Sequence, residues 1–102
     1  MAVATISDAL RSAALRRSDH LAYAYDRLEH SWGEVDRRVD KLANALLARG
    51  IGRGDVVASC CQDGPPLVEL IFAAARIGAI RVGINYRYTA GDLAQVVAHC
   101  GA

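Results

Sequence analysis

Apolar residues recur at helical spacing along much of the chain, and short β-branched runs lie between the helical stretches. The clearest helix begins at Ser31, where Ser31 and Glu34 fit a capping box, and it ends before Gly50, where a left-handed residue is expected. Its apolar stripe comprises Trp32, Val35, Val39, Leu42, Ala43, Leu46 and Leu47.

The residues before Ser31 predict one helix and one strand. Thr5 or Ser7 can cap a helix that extends to about Arg17, with an apolar stripe of Ile6, Leu10, Ala14 and Leu15. Residues 21–25 predict a strand. We expect residues 27–30 to form a turn that leads into the helix at Ser31.

Two strands and two further helices are predicted after Gly50. The strands are residues 56–60 and 79–84. Between them, a helix begins with residues 63–66, with proline tolerated in its first turn, is apolar nearly all round and ends at Gly78. A helix of that kind is normally covered on most sides, so its apolar surface indicates that part of the structure around it is missing. Thr89 and Asp92 begin a last helix.

The alternation of strands and helices predicts an α/β fold. We expect a βαβαβ unit with parallel strands, right-handed crossovers and flanking helices. The predicted core comprises Trp32, Val39, Leu42, Leu46, Val56, Val57, Leu70, Ile71, Ile80 and Val82.

Composition restricts the class of protein. With 102 residues the chain is one domain at most, or a piece of one, and 53% apolar residues suffice for a core. A net charge of +1 with interspersed signs predicts no nucleic-acid surface. The chain contains no run of about 18 uncharged apolar residues, so we expect no transmembrane segment, and its first 19 residues lack the continuous apolar region that a secretory signal would have. Three cysteines without disulfide or zinc spacing favour a reduced, cytoplasmic protein.

Two glycine-containing patterns between residues 50 and 55 resemble binding motifs. Gly50, Gly52 and Gly54 have the spacing of a dinucleotide loop, but such a loop follows a strand and precedes a helix, and here the order is reversed. Residues 53–55 spell the adhesion tripeptide Arg-Gly-Asp. We favour a helix cap and a tight turn over either motif.

No catalytic set follows from residue spacing. The chain contains no P-loop, no nucleophile elbow and no zinc-protease motif. Its three histidines are separated along the sequence and are expected at the surface or its boundary. Cys60 and Cys61 should lie half-buried at a strand end and be inert. We therefore predict no catalytic residue and no metal ligand.

The acidic residues of the helix after Ser31 are expected to be structural. Glu34, Asp36 and Asp40 should lie on its solvated face. They should pair there with Arg37, Arg38 or Lys41 at helical spacing.

Six segments follow one another in an order that resembles a known family: residues 31–35, 42–46, 50–57, 63–70, 72–79 and 84–89. Together they look like the opening of the adenylate-forming superfamily, which includes acyl-CoA synthetases, adenylation domains and luciferases. The Asn-Tyr-Arg-Tyr-Thr segment that begins at Asn85 is most similar to bacterial acyl-CoA synthetases. The resemblance covers the chain from about Thr5 onward and implies that residues 1–102 are an N-terminal fragment of such a domain, a partial subdomain of a larger fold.

The resemblance also implies a reaction for the intact enzyme. Members of the family use ATP and Mg²⁺ to convert a carboxylic acid to an acyl-adenylate, and then transfer the acyl group to CoA. Their phosphate loop, adenine motif, ribose-binding aspartate and C-terminal catalytic lysine all correspond to positions beyond Ala102. We therefore expect no cofactor to bind this chain alone and no catalysis from it. A hydrophobic carboxylic acid is the substrate that the subfamily wording suggests.

One position carries functional content from the resemblance. Arg87 matches the arginine of the family's Asn-x-Arg segment, which can meet a phosphate of CoA. A guanidinium between a strand end and a helix N-terminus also suits an anion on physical grounds. The alternative is that Arg87 pairs with a carboxylate or caps a loop. Asn85 is expected to hold the turn, and Tyr86 replaces the family's common proline, which leaves the loop path open.

Two hypotheses remain from the sequence. In the first, the chain is the N-terminal part of an AMP-forming acyl-CoA synthetase, and its partner is the remainder of that chain or a larger subunit. In the second, it is a short non-catalytic module that docks on a larger partner. The apolar helix between the two strands supports the first hypothesis and permits the second if a partner covers it.

Overall fold

The computed structural model describes residues 4–102. In chain order the elements are α1 (Ile6–Arg16), β1 (Leu21–Tyr25), β2 (Leu28–Ser31), α2 (Trp32–Ala48), β3 (Val56–Ser59), α3 (Pro65–Ile77), β4 (Ile80–Gly83) and α4 (Ala90–Cys100). The α/β class is therefore confirmed.

The predicted helix starts are confirmed by their caps. Thr5, rather than Ser7, caps α1, because its Oγ1 accepts a hydrogen bond from the backbone N–H of Asp8 at 3.0 Å. Ser31 Oγ accepts from the N–H of Glu34 at the start of α2, and Thr89 Oγ1 accepts from the N–H of Asp92 at the start of α4. Gly78 ends α3 at φ +76°, a left-handed conformation that glycine adopts without strain.

The crossover between the two C-terminal strands is confirmed. β3 and β4 pair in parallel, from Val56 opposite Ile80 to Ser59 opposite Gly83, and α3 connects them. Parallel pairing requires a connection of this kind, because the chain has to return to the same end of the sheet.

The first strand does not join that sheet. β1 pairs in antiparallel fashion with β2 in a separate two-stranded sheet, so the single βαβαβ unit with parallel strands was a wrong prediction at its N-terminal end. Residues 28–31 form a strand where a turn over residues 27–30 was expected. Only Asp26 and Arg27 separate the two strands, and Asp26 takes the left-handed φ of 55° that a tight hairpin needs.

The core lies between helices α1, α2 and α3. Its buried members are Leu10, Val35, Val39, Ala43 and Ala73, and Trp32, Leu42 and Leu46 pack against them as half-buried side chains. The core prediction was wrong for Ile80, which is 53% exposed. Of the apolar stripe predicted for α1, Leu10 and Ala14 are buried, whereas Ile6 and Leu15 are 54% and 68% exposed. The other predicted core residues of β3, α3 and β4 are only half-buried.

A network of ion pairs joins the three core helices. The Arg76 guanidinium of α3 donates to Asp36 Oδ1 and Asp40 Oδ1 of α2, both at 2.9 Å, and its Nε donates to Ser7 Oγ of α1 at 2.9 Å. Arg11 of α1 pairs with the same two aspartates.

The prediction that the acidic residues of α2 pair with Arg37, Arg38 or Lys41 of the same helix was therefore wrong. Of the three acids only Asp36 is largely withdrawn from solvent, since Glu34 and Asp40 keep side chains 48% and 42% exposed. Asp36 and Asp40 pair with other helices, Arg38 pairs with Glu69 of α3, and Glu34 pairs with His30. Helical periodicity shows which residues share a face but not which helix packs against that face, and this limitation is the physical reason for the error.

Residues 4–102 include no helix with the length and apolar character needed to cross a membrane.

Candidate functional site

The carboxyl ends of β3 and β4 form the candidate site. Ligands of open parallel sheets usually bind outside this edge, where the loops that leave the strands converge. β3 ends at Ser59 and β4 at Gly83, and the loops of residues 60–64 and 84–89 leave from there. A cavity of 250 Å³ lies between them, and Ser59, Asp63, Arg81 and Asn85 are among its lining residues.

The loop after β4 is held by Asn85, as predicted. Asn85 Oδ1 accepts a hydrogen bond from the backbone N–H of Arg87 at 2.9 Å, and the Asn85 carbonyl accepts from the N–H of Tyr88 at 3.0 Å. The N–H of Ile84 donates to the Ser59 carbonyl at 2.8 Å, which fixes the beginning of the loop to β3. The bond from the Arg87 N–H to Asn85 Oδ1 is an Asx-type turn, in which a short polar side chain replaces a backbone acceptor.

Arg87 lies exposed on this loop, beside Tyr86. Its Nε donates to Tyr86 Oη at 3.3 Å, and its Cζ lies 5.5 Å from the centroid of the Tyr86 ring. No carboxylate within residues 4–102 forms an ion pair with it. The carboxylate partner that was the alternative interpretation is thus not present in the described part of the chain, and the guanidinium keeps donors available for an anion.

Cys60 and Cys61 are both exposed, whereas the sequence predicted half-burial. The difference arises because β3 ends at Ser59, one residue earlier than predicted, so both thiols lie in the loop. Cys61 lines the cavity, and Cys60 Sγ lies 3.9 Å from the Asn85 carbonyl oxygen, a weak contact.

The histidines do not converge on this edge. His20 and His99 are exposed, and His30 bonds Glu34 while its ring packs edge-on against Tyr23. In the part of the chain that the structure describes, no three His, Cys, Asp or Glu side chains are grouped to hold a metal ion. The contacts of His30 with Glu34 and Tyr23 give it a structural role at the start of α2.

Arg81 is the residue at this edge that sequence reasoning missed. It lies in β4 on the same face as Gly83, and its side chain lines the cavity. The signal was present in the sequence, because a charged residue between Ile80 and Val82 interrupts an otherwise apolar strand and a glycine follows two positions later.

The opposite face of the same sheet is also open. α4 buries none of its residues, and a space of 550 Å³ separates it from Val82. Val96 and Cys100 of α4 line that space together with polar neighbours. An amphipathic helix normally covers its apolar side, so this side of the sheet has the character of an incomplete interface.

Comparisons with known proteins show the family of this chain. A family model described as AMP-binding enzyme matches residues 10–102. An acyl-CoA ligase from Ajellomyces capsulatus is 38% identical over 100 residues, which are 93% of this chain and 16% of that protein. A 3-hydroxybenzoate–CoA ligase from an Aromatoleum species is 36% identical over 67 residues, 66% of this chain and 13% of the relative.

Solved structures give the same result for the fold. A protein from Rhodopseudomonas palustris described as a long-chain-fatty-acid CoA ligase superposes with a TM-score of 0.87 at 35% identity, covering 92% of this chain and 24% of the other. The N-terminal subdomain of NpsA from Klebsiella oxytoca superposes with a TM-score of 0.89 at 24% identity, covering 98% of this chain and 26% of the other. The chain thus spans about a quarter of these structures and less than a fifth of the two ligases.

Proposed function

This chain belongs to the AMP-binding enzyme family, and we propose that it forms the N-terminal part of an ATP-dependent, AMP-forming acyl-CoA synthetase. The observation that carries the proposal is the family match over residues 10–102. The short share of each relative that the chain spans supports the further proposal that it needs the rest of such a domain for catalysis.

The proposed reaction has two steps. The carboxylate of the substrate attacks the α-phosphorus of Mg²⁺-bound ATP, which gives an acyl-adenylate and pyrophosphate. The thiol of CoA then attacks the acyl carbon, and AMP leaves. The groups that bind ATP and Mg²⁺ belong to the remainder of the domain, so this chain contributes no catalytic residue to either step.

The proposed substrate is a hydrophobic carboxylic acid. Relatives are described as ligases for 3-hydroxybenzoate and ferulate, and the similar structure from Rhodopseudomonas palustris as one for long-chain fatty acids. All of these are carboxylic acids with an apolar body, which supports the class of substrate and leaves its size open.

The open sheet supports a specific position for the remainder of the domain. α3 covers the Arg81 face of the sheet and α4 lies on the Val82 face. Because crossovers between parallel strands are right-handed, a strand reached through α4 on the opposite face has to return past β3 to its free edge. We therefore propose that the next segment of the domain adds a parallel strand beside β3, and that further parts of the domain pack on the Val82 face, where Ile80 is exposed.

Arg87 is the proposed CoA contact of this chain. Its guanidinium is exposed at the carboxyl edge, steadied by Tyr86 and without a carboxylate partner within residues 4–102. In an acyl-CoA synthetase that includes these residues, Arg87→Ala should raise KM for CoA roughly tenfold, the value of one charge-assisted hydrogen bond. The rate of ATP–pyrophosphate exchange should not change, because that step precedes CoA binding.

Arg53→Ala is the matched control, since Arg53 is exposed in the loop before β3, at the other end of the sheet. It should leave both rates unchanged. If Arg87→Ala gives unaltered CoA kinetics, Arg87 is not part of the CoA site.

The non-catalytic alternative is tested by mass. The native and denatured masses of the purified protein should show a larger covalent chain or a larger assembly, and that material should catalyse acid-dependent ATP–pyrophosphate exchange. A folded sample that consists of this chain alone would exclude catalysis by it and favour an interaction module.

A further inference from the structure

Arg81 extends along the sheet from one groove to another. It is half-buried in β4, and it lines both the cavity at the carboxyl edge and a groove formed with Ile71 and Ala75 of α3. The aliphatic stem of an arginine commonly packs along apolar surface while its head remains in a polar space. The side chain of Arg81 therefore borders both the groove beside α3 and the cavity at the carboxyl edge.

Gly83 provides the space for the head of this side chain. A Cβ built on Gly83 would lie 2.5 Å from Nη2 of Arg81 and 3.3 Å from its Cζ. The guanidinium thus rests directly over the Gly83 backbone, and a larger residue at position 83 would displace it. Since Gly83 is the last residue of β4, the positive charge lies at the inner wall of the cavity.

Arg81 has no counter-charge in the described part of the chain. The arginines of the helical core, Arg11, Arg38 and Arg76, each pair with a carboxylate, whereas Arg81 forms no ion pair within residues 4–102. Asp63 is the acid that shares its cavity, and its carboxylate is not within ion-pair distance. A partly buried charge without a partner is unfavourable, so an anion in the cavity would stabilise it.

The surrounding groups also suit an anion. The hydroxyl-bearing residue Ser59, the amide-bearing Asn85 and Tyr86 line the same cavity, and Arg87 bonds Tyr86 from the rim. The volume of 250 Å³ is smaller than the range of about 300–1,000 Å³ that is usual for whole small-molecule ligands. The space therefore fits one compact anionic group.

We propose that this cavity is a phosphate-binding site, in which the Arg81 guanidinium is the principal donor and Arg87 adds a second positive charge at the rim. The planar guanidinium can contact two oxygens of a carboxylate or of a phosphate at once. A phosphate offers such a pair of oxygens in more orientations, because a monoester has three terminal oxygens and inorganic phosphate has four. The phosphate can be inorganic phosphate or the phosphate-bearing end of CoA. The second source rests on the proposed function, and the first does not.

The test is titration of the 102-residue chain with inorganic phosphate at constant ionic strength, followed by calorimetry. Arg81→Gln should weaken binding at least about fivefold, the loss of a charge-assisted contact. Gly83→Ala should weaken it as well, because it displaces the guanidinium without changing the charge of the protein. Asp63→Asn should tighten binding, since it removes the acid from the cavity.

Arg53→Gln is the matched control, because it removes the same charge from the other end of the sheet and should change the dissociation constant less than about twofold. Urea unfolding of each variant establishes that it is folded, and Arg81→Lys, which keeps the charge but lacks the planar fork, should bind with intermediate affinity. The proposal is overturned if the wild-type chain does not bind phosphate, if Arg81→Gln binds like wild type, or if Arg53→Gln loses as much affinity.

A comparison of CoA with dephospho-CoA, which lacks the 3′-phosphate, identifies the source. Tighter binding of CoA than of dephospho-CoA that disappears in Arg81→Gln assigns the site to the 3′-phosphate. Equal binding of the two that is lost in Arg81→Gln assigns it to the diphosphate that both contain, and binding of inorganic phosphate without binding of either compound restricts the site to free phosphate. These results are independent of ATP–pyrophosphate exchange, so failure of the proposed function and failure of this site are distinguishable.

Discussion

The helical layer of this chain and its parallel sheet differ in how completely they are closed. Helices α1, α2 and α3 bury Leu10, Val35 and Val39 almost completely, and their charged side chains find partners between the helices. The β3–β4 sheet leaves Ile80 53% exposed, and the neighbouring α4 buries none of its residues. The helical layer therefore buries its apolar side chains and pairs its charges within the chain, whereas the β3–β4 sheet and α4 leave apolar surface exposed.

The same contrast holds for the arginines. Arg76 of the helical layer has a side chain only 13% exposed and bonds two aspartates, so its charge stabilises the fold. Arg81 and Arg87 at the carboxyl edge of the sheet have no carboxylate partner within residues 4–102. Charges that are paired internally serve stability, whereas charges that remain available at a strand edge can serve binding. The paired arginines thus stabilise the helical layer, and the unpaired ones are those that we propose to bind phosphate and CoA.

Among the charged residues, removal of Arg76 should have the largest effect on stability. Arg76→Ala removes the less exposed of the two arginines that pair with Asp36 and leaves Arg11 as the other. Because a buried charge left with no partner costs about 3–5 kcal/mol, the loss here should be somewhat smaller, up to about 3 kcal/mol. Urea unfolding monitored by circular dichroism measures the change. Arg87→Ala is the control from the open region and should alter the free energy of unfolding by less than about 0.5 kcal/mol. Equal effects of the two variants would contradict the contrast.

Truncation of a buried and of an exposed aliphatic residue sharpens the same comparison. Leu10→Ala removes a side chain that is 2% exposed and should destabilise the chain by about 2–5 kcal/mol. Ile80→Ala should cost less than about 0.5 kcal/mol in this chain, because Ile80 is largely solvated. In a longer protein that contains the rest of the domain, Ile80→Ala should become clearly destabilising. A large cost in the 102-residue chain would show that the sheet is already covered.

The smallest expected effect concerns Glu34 at the start of α2. Its pKa lies below the ordinary value of 4.5, chiefly because of the hydrogen bond from His30 and then that from Ser31. A carboxyl whose pKa is lowered by folding stabilises the folded state above pH 4.5, and this contribution is lost as the pH falls through the lowered pKa.

Glu34→Gln should therefore be slightly less stable than the wild-type chain at neutral pH. The difference between the two should close on acidification below pH 4.5. Thermal unfolding across a pH series measures it. If the stability difference between the wild-type chain and Glu34→Gln grew on acidification, the pKa of Glu34 would be raised by folding and not lowered, and the prediction would be contradicted.

The sequence predicts the local features of this fold well. The caps at Thr5, Ser31 and Thr89, the helix end at Gly78 and the β3–α3–β4 crossover all depend on neighbouring residues or on a strong periodic pattern. These signals are short-range, so one chain segment is enough to reveal them.

The features that the sequence does not predict depend on distant segments. The partners of Asp36 and Asp40 come from α1 and α3, and the exposure of Ile80 depends on which elements cover β4. The hairpin of β1 and β2 was missed because its second strand is short and polar, with no alternation to mark it. The turn-forming role of Asn85 was predicted correctly because it depends on a residue two positions away. The position of Arg81 at the cavity was missed because it depends on the pairing of β4 with β3 and on the packing of α3.

Amide hydrogen exchange, measured residue by residue on the 102-residue chain, tests the contrast between the two regions most directly. Amides of α2 and α3 should exchange slowest, while those of α4 and of the free edge of β3 should exchange close to the rate of an unfolded chain. In a longer protein with the rest of the domain, the edge of β3 should become protected. Protection of α4 and the β3 edge equal to that of α2, in the 102-residue chain alone, would contradict the account.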